Sequence, residues 1–350
     1  MLLEYSREKL PYTQTKALFQ PCNPSTSNKR IRIFTILLSC LALWFLFPRH
    51  LPCGSSTSYR SPYAFVTFLA QHPNHDNKTV PDSEDHYYIA SRTLAYQLLH
   101  APETRTNTSI PFVVLVTKDI AAHKVDRLRQ DGATVKVVEN IEASWMESGM
   151  KKWRHTMDKL YLFAMTEYEK VLFIDADMLI VKRLDSVFID HTTAPKMVDP
   201  TLALEDEGPL PISYVLSAQA AFETAHHDYP PSTEYSATGH LSSGFFVASP
   251  CLKMYEYYIQ LSKMEGRFRD NAMEQDLLNY AHRRDGPMPW TDITYTWTTT
   301  WPSMREYKAG AATLHEKFWE ENLRIDLGIR KLWYEAKGAM EGYWNAKEEM

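Results

Sequence analysis

Four short apolar runs constrain this chain most. They span residues 64–69, 111–116, 134–138 and 171–174. A strand that is apolar at successive positions is apolar on both faces, and must be buried on both. Helical patterns separate the runs. One lies over residues 90–99 and a second over 121–129, with Gly132 as its stop signal. Before the fourth run, Trp153, Met157, Leu160, Tyr161 and Ala164 recur at helical spacing. Strand–helix–strand repetition predicts an α/β fold with a mostly parallel central sheet flanked by helices. Ligands of such sheets bind beyond the carboxyl ends of the strands.

Composition removes several classes. Apolar residues are 44% and charged residues 23%, which excludes a disordered, collagen-like or coiled-coil chain. A formal net charge of -5 excludes a basic nucleic-acid footprint, so no nucleic-acid partner is expected. Four cysteines in 350 residues cannot make a disulfide framework, and no essential disulfide is expected. A mean hydropathy of -0.38 argues against a polytopic membrane protein, but an average hides one short run.

Residues 33–47 form such a run, IFTILLSCLALWFLF, without charge. With Ile31 included it reaches the lower limit of a spanning helix, roughly 17 residues. Lys29, Arg30 and Arg32 precede it, which places the amino-terminal side in the cytosol. About thirty polar residues come first, and no small-residue cleavage pattern follows, so an uncleaved signal anchor is favoured over a signal peptide or a buried core helix. The length prior of two domains is thereby replaced. The expected division is a cytosolic tail (1–30), a transmembrane anchor (31–47), a Pro/Gly/Ser-rich stem (48–62) and a lumenal domain (63–350). The expected location is the Golgi or endoplasmic reticulum membrane. Lumenal sequons then stand at Asn77 and Asn107.

The fourth strand runs into Asp175-Ala176-Asp177. Two carboxylates at i and i+2, at the carboxyl end of a buried strand, sit where the crevice should open. Carboxylate oxygens suit hard divalent cations, which can bridge to a diphosphate and neutralise a leaving nucleotide. A solvated strand-end turn is the plain alternative. Haloacid-dehalogenase phosphatases also use D-x-D-x-[TV], but position five is Leu179 and three strands precede the pair. No Walker loop and no G-x-G-x-x-G is present, so bound phosphates need another device.

With these pieces the chain resembles glycosyltransferase family 8, the glycogenin and galactinol synthase relatives with a GT-A type fold, in its membrane-anchored fungal form. The likeness covers about residues 62–325, and its pieces come in the family's order: YAFVTFL at 63–69, MDKLYLF at 157–163, YEKVLFIDAD at 168–177, LSSGFFV at 241–247, EQDLLN at 274–279 and HEK at 315–317. The resemblance implies a nucleotide-sugar donor, usually a UDP-sugar, Mn²⁺ as cofactor and transfer with retention. It assigns Asp175, Asp177 and His315 to the metal. Lys317 would approach the diphosphate. Phe68 and Tyr88 would sit near uracil and ribose, unless they are ordinary core aromatics. Lys159 would reach the donor sugar, and Ser242, Ser243 and Gly244 would let the backbone approach donor or acceptor. Gln275 would lie under the anomeric carbon, with Glu274 beside it. Glu274 replaces the family's Asp and Ser242 its Asn.

The expected activity is Mn²⁺-dependent transfer of a hexose or N-acetylhexosamine to a glycan or glycoprotein acceptor. A non-catalytic nucleotide-sugar or glycan-binding protein on the same fold is the alternative class. A self-glycosylating initiator like glycogenin is another, opposed by the membrane run. The carboxyl-terminal aromatics Trp319, Trp333, Tyr334, Tyr343 and Trp344 either meet sugar faces or seat a terminal helix, and the latter is favoured.

Overall fold

The computed structural model describes residues 61–71, 81–146, 153, 155–221, 229–230, 239–321 and 324–350. The tail, the anchor, stem residues 48–60 and the Asn77 sequon lie outside the described residues. Among the described residues, no helix is long and apolar enough to cross a membrane.

In chain order, β1 (Tyr63–Leu69) leads to α1 (His86–Leu99), β2 (Phe112–Thr117), α2 (Ala122–Gln130) and β3 (Thr134–Val138). A 3-10 segment (Thr156–Ala164) then precedes β4 (Lys170–Ile174) and β5 (Met178–Ile180). Short strands β6 (Lys196–Met197) and β7 (Ser213–Tyr214) come before β8 (Leu216–Ala220) and β9 (Leu241–Ala248). Helices α3 (Leu252–Leu261) and α4 (Glu274–Ala281) follow, then β10 (Thr291–Asp292), β11 (Thr298–Thr300), α5 (Met304–Ala309), β12 (Thr313–His315) and α6 (Leu327–Glu348).

The main sheet has the order β10-β8-β9-β4-β1-β2-β3. The pairs β1–β2, β2–β3, β1–β4 and β8–β10 are parallel, whereas β9 runs antiparallel to both neighbours. The sheet is therefore mixed but mostly parallel, as expected, since β9 is the one of its seven strands that runs against the others. Residues alternate between two cores, as strands buried on both faces must. Phe65, Val114, Leu172 and Ile174 face one core, and Val66, Leu115, Val171 and Phe173 face the other. The β3 run departs from its expectation. It is the sheet edge, and Val137 is exposed.

Helix starts and stops follow local chemistry. The Asp85 side chain accepts from the Tyr88 amide at 3.1 Å and caps α1. Gly132 follows α2 at φ +99°, the left-handed region a glycine tolerates. The segment from Trp153 to Ala164 was expected to be α-helical. Within it, Thr156–Ala164 forms a 3-10 helix, and its side chains are engaged by separate tertiary contacts. Met157, Leu160, Leu162 and Phe163 enter the core, and the buried Asp158 accepts from the Ile141 amide at 2.7 Å.

A second sheet, β11-β12-β5, rests on a third apolar cluster with Leu179, Leu314, Phe318 and Trp333. The terminal aromatics largely seat α6. Trp333 and Trp344 are buried, and Tyr343 packs on Tyr96 and His100 of the α1 end. Cys251 is a free thiol. Asn107 is exposed, and its amide and the Thr108 hydroxyl both donate to Asp185.

Candidate functional site

Chain order places a switch point between β1 and β4. From β1 the chain moves outward through β2 to β3, then returns to lay β4 on the other side of β1. A crevice opens beyond the carboxyl ends of strands that diverge in this way. Here it is a cavity of about 260 Å³.

Four stretches of sequence meet there. Asp175 and Asp177 leave the end of β4 on the tight turn into β5. Antiparallel pairing sets Phe245 against Ile174, so Gly244 lies beside Asp175, and the Asp175 amide donates to the Gly244 carbonyl at 2.8 Å. Strand β12 pairs with β5 in a register that sets His315 opposite Met178. That brings the His315 ring to Asp177, Nε2 to Oδ1, at 3.1 Å. The first turn of α4 supplies Glu274 and Gln275, and Gln275 Oε1 accepts from the Ser243 amide at 3.0 Å.

Asp175, Asp177 and His315 each offer a ligand atom, all within 4.8 Å of one another, and among the described residues they form the one such group. Two features fit a metal. The His315 Nδ1 is buried without a hydrogen-bond partner. The missing side chain of Gly244 also leaves space that the site uses, because a Cβ there would lie 2.6 Å from His315 Cε1 and 3.1 Å from Asp175 Oδ2. Two carboxylates and an imidazole suit a divalent ion such as Mn²⁺.

Burial and charge oppose each other in this cluster. Burial raises the Asp175 carboxyl and outweighs the lowering by Lys159. Burial also acts to raise Asp177, but the charge and hydrogen bond of His315, with Lys317 and Lys159, hold it well below the usual carboxylate range. His315 is raised, since Asp177 and Asp175 outweigh its desolvation. Lys317, 3.6 Å from Asp177, is raised because Asp177 and Glu320 outweigh burial.

Lys159 lines the cavity with its ammonium already engaged, 2.9 Å from Asp175 and 3.0 Å from Glu274. Phe68, Ser242, Ser243 and Lys317 also line it. Tyr88 does not. It is 2% exposed in the core, with the Lys124 ammonium over its ring, and the α1 aromatic that lines the cavity is its neighbour Tyr87. Adjacent helix residues diverge by about 100°, so a one-residue error in register exchanges the core face for the site face. Burial first, then the charges of Asp177 and Asp175, push the Tyr87 hydroxyl well above its usual range. Trp319 meets Tyr87 edge-on and stacks on His86. Trp153 and Thr156 also reach the cavity. The sequence carried no signal for Thr156, and Trp153 was read only as part of a helical face.

No family model matches this chain. An uncharacterized protein of Schizosaccharomyces pombe, C4C3.09, is 28% identical over 293 residues, covering 75% of this chain and 76% of the relative. The UDP-glucuronate:xylan alpha-glucuronosyltransferase 2 of Arabidopsis thaliana is 30% identical over 110 residues, 31% of this chain and 17% of that protein. Among solved structures, galactosyltransferase LgtC in complex with donor and acceptor sugar analogs matches with a TM-score of 0.46 and 15% identity, over 79% of this chain and 95% of that one. The chain is thus similar to glycosyltransferases.

Proposed function

We propose that this chain is a metal-dependent glycosyltransferase of the GT-A type, moving a hexose or N-acetylhexosamine from a UDP-sugar to a glycan with retention. The observation that carries the reading is the meeting of Asp175, Asp177 and His315 within 4.8 Å, in one cavity with Gln275, at the strand switch point. Similarity to glycosyltransferases supports it.

Asp175, Asp177 and His315 would hold Mn²⁺. When bound, the ion supplies positive charge to the diphosphate of the leaving nucleotide. Lys317 adds a second positive charge at the same end. Tyr87 and Phe68 offer aromatic faces to the base. Lys159 neutralises Asp175 and Glu274 and holds them in place. Gln275, whose Oε1 accepts from the Ser243 amide at 3.0 Å, would lie beneath the transferred sugar. An amide is a weak nucleophile, so retention follows from attack by the acceptor on the face that the UDP leaves. The apolar run at 33–47 supports a single-pass type II protein of the Golgi or endoplasmic reticulum, with residues 63–350 lumenal.

The test is release of UDP from UDP-sugars by the full-length chain, with Mn²⁺ and with chelator. Asp175→Ala and Asp177→Ala are expected to lower turnover by about 100-fold or more, in line with lost charge stabilisation. Wild-type turnover in either variant removes the metal assignment. Tight UDP binding with no turnover of any donor establishes the non-catalytic binding protein instead.

A further inference from the structure

The Asn107-Thr108-Ser109 tripeptide takes no part in the cavity, and the fold presents it to solvent. All three residues are exposed. Among the described residues, the Asn107 backbone amide is engaged and its side chain takes no hydrogen bond. The tripeptide lies in the turn between α1 and β2. Helix α1 carries Tyr87 at the cavity and ends at Leu99. At 1.5 Å per residue it has by then moved about 18 Å from Tyr87. Strand β2 then opens with Phe112 beside Phe65, near the start of β1, whereas the cavity lies beyond the carboxyl ends of the strands. The tripeptide therefore stands at the end of the domain away from the cavity.

One carboxylate oxygen clamps this turn. Asp185 Oδ1 accepts from the Thr106 and Thr108 hydroxyls, each at 2.7 Å, and from the Asn107 and Thr108 amides at 3.0 and 3.2 Å. These contacts span 77 to 79 positions, so none can form before Asp185 has been synthesised. At about 5–20 residues per second, the 78 positions from Asn107 to Asp185 take about 4–16 s. Throughout that interval the tripeptide is free of the clamp, and its amide and hydroxyl groups are open to an enzyme. After the clamp closes, the exposure of Asn107 leaves room for a bulky group on its side chain.

From this geometry we propose that Asn107 carries an N-linked oligosaccharide, attached before the Asp185 contacts close. The inference rests on the reading above that residues 63–350 are lumenal. Asn-x-Ser/Thr with x other than Pro is the acceptor pattern, and Thr108 satisfies it. The co-reactant is an oligosaccharide borne on a lipid pyrophosphate. The Asn107 side-chain nitrogen attacks the anomeric carbon of that oligosaccharide. A carbon–nitrogen bond forms, the bond from that carbon to the pyrophosphate oxygen breaks, the lipid pyrophosphate leaves, and the amide nitrogen gives up one proton. The product is a bulky, solubilising group on the surface. Its place at the far end of α1 leaves the cavity mouth open.

The test uses the full-length chain made in eukaryotic cells, with Asn77→Gln so that Asn107 holds the one remaining sequon. A parallel chain carries a further sequon in a carboxyl-terminal tag, which reports the lumenal reading by itself. Peptide-N-glycosidase is expected to shift the mobility of the untagged chain and to leave aspartate at position 107, read by mass spectrometry. Asn107→Gln and Ser109→Ala should each abolish the shift. Thr108→Ala keeps the acceptor pattern and gives up one Asp185 contact, so it should be modified as fully as the parent. Unmodified Asn107 in a chain whose tag is modified overturns the inference, and loss of the modification in Thr108→Ala overturns its attachment before the clamp closes. If neither Asn107 nor the tag is modified, the lumenal reading fails and the inference fails with it.

Discussion

Replacing Gly244 by alanine tests the metal cluster without removing any ligand. The added Cβ would lie 2.6 Å from His315 Cε1, 3.0 Å from His315 Nδ1 and 3.1 Å from Asp175 Oδ2. Ordinary contact begins at 3.4 Å, so the ring must retreat by about 0.8 Å, the difference between 3.4 and 2.6 Å. The strand backbone leaves little freedom to absorb this. Gly244 is held by the Asp175 amide, and His315 by its register against Met178. Metal–ligand distances tolerate only about ±0.2 Å. A retreat of that size therefore detaches the imidazole or displaces Asp175. Even outer-shell changes cost roughly 10- to 100-fold in metal affinity. The upper end is expected here, about 100-fold or about 2.7 kcal/mol, together with about 1–3 kcal/mol of fold stability from overpacking. Calorimetric titration of Mn²⁺ into the full-length variant reads the affinity, and thermal unfolding reads the stability. Gly338→Ala is the control. It lies on α6, where an added Cβ meets nothing within 4 Å, so metal affinity should not change. Wild-type Mn²⁺ affinity in Gly244→Ala would refute the reasoning, because the imidazole and Asp175 would then not be the ligands that the cluster implies.

Two further outcomes concern the scaffold. His282 is fully buried between the Tyr258 hydroxyl and the Met288 carbonyl, and burial lowers its pKa from 6.5 to about 4. Its folded pKa is depressed, so its contribution is complete above pH 6.5 and is lost as pH falls towards 4. About 2.5 units corresponds to about 3 kcal/mol. Denaturant unfolding at pH 7 and pH 4 should show that loss in the wild type and not in His282→Gln, and equal losses in both would contradict it. Glu207 is buried and held by Arg283 through two nitrogens, at 3.0 and 3.1 Å. Arg283→Ala strands the carboxylate and should lower stability by about 3 kcal/mol. The Tyr280 hydroxyl and the Leu204 amide also donate to Glu207, and a loss below about 1 kcal/mol would show that they suffice.

The sequence was most legible where physics is local. Apolar runs marked β1, β2 and β4 to within a residue or two, because burial on both faces leaves no polar position. Gly132 marked the end of α2. The sequence was less legible in the Thr156–Ala164 segment, where helical spacing was met by a 3-10 helix whose side chains engage separate tertiary contacts. The third run held strand propensity but no information on its neighbours, so its place at the sheet edge was hidden. The same limit applied to Tyr87 and Tyr88. Both are aromatic, and only the rotation of α1, fixed by the Asp85 cap and the core, decides which faces the cavity.

By itself, the sequence determined an α/β chain with an aspartate pair at the end of a buried strand, and a list of residues that belong together. It also determined the apolar run at 33–47, because charge and length are properties of the chain alone. Tertiary structure decided which of those residues meet. Asp177 and His315 are 138 positions apart and touch only because β12 pairs with β5 in one register. Lys159 and Glu274 become partners only when the 3-10 segment and α4 close on the same cavity. Pairing across a sheet depends on register, and register is set by the packing of the whole domain rather than by any segment within it.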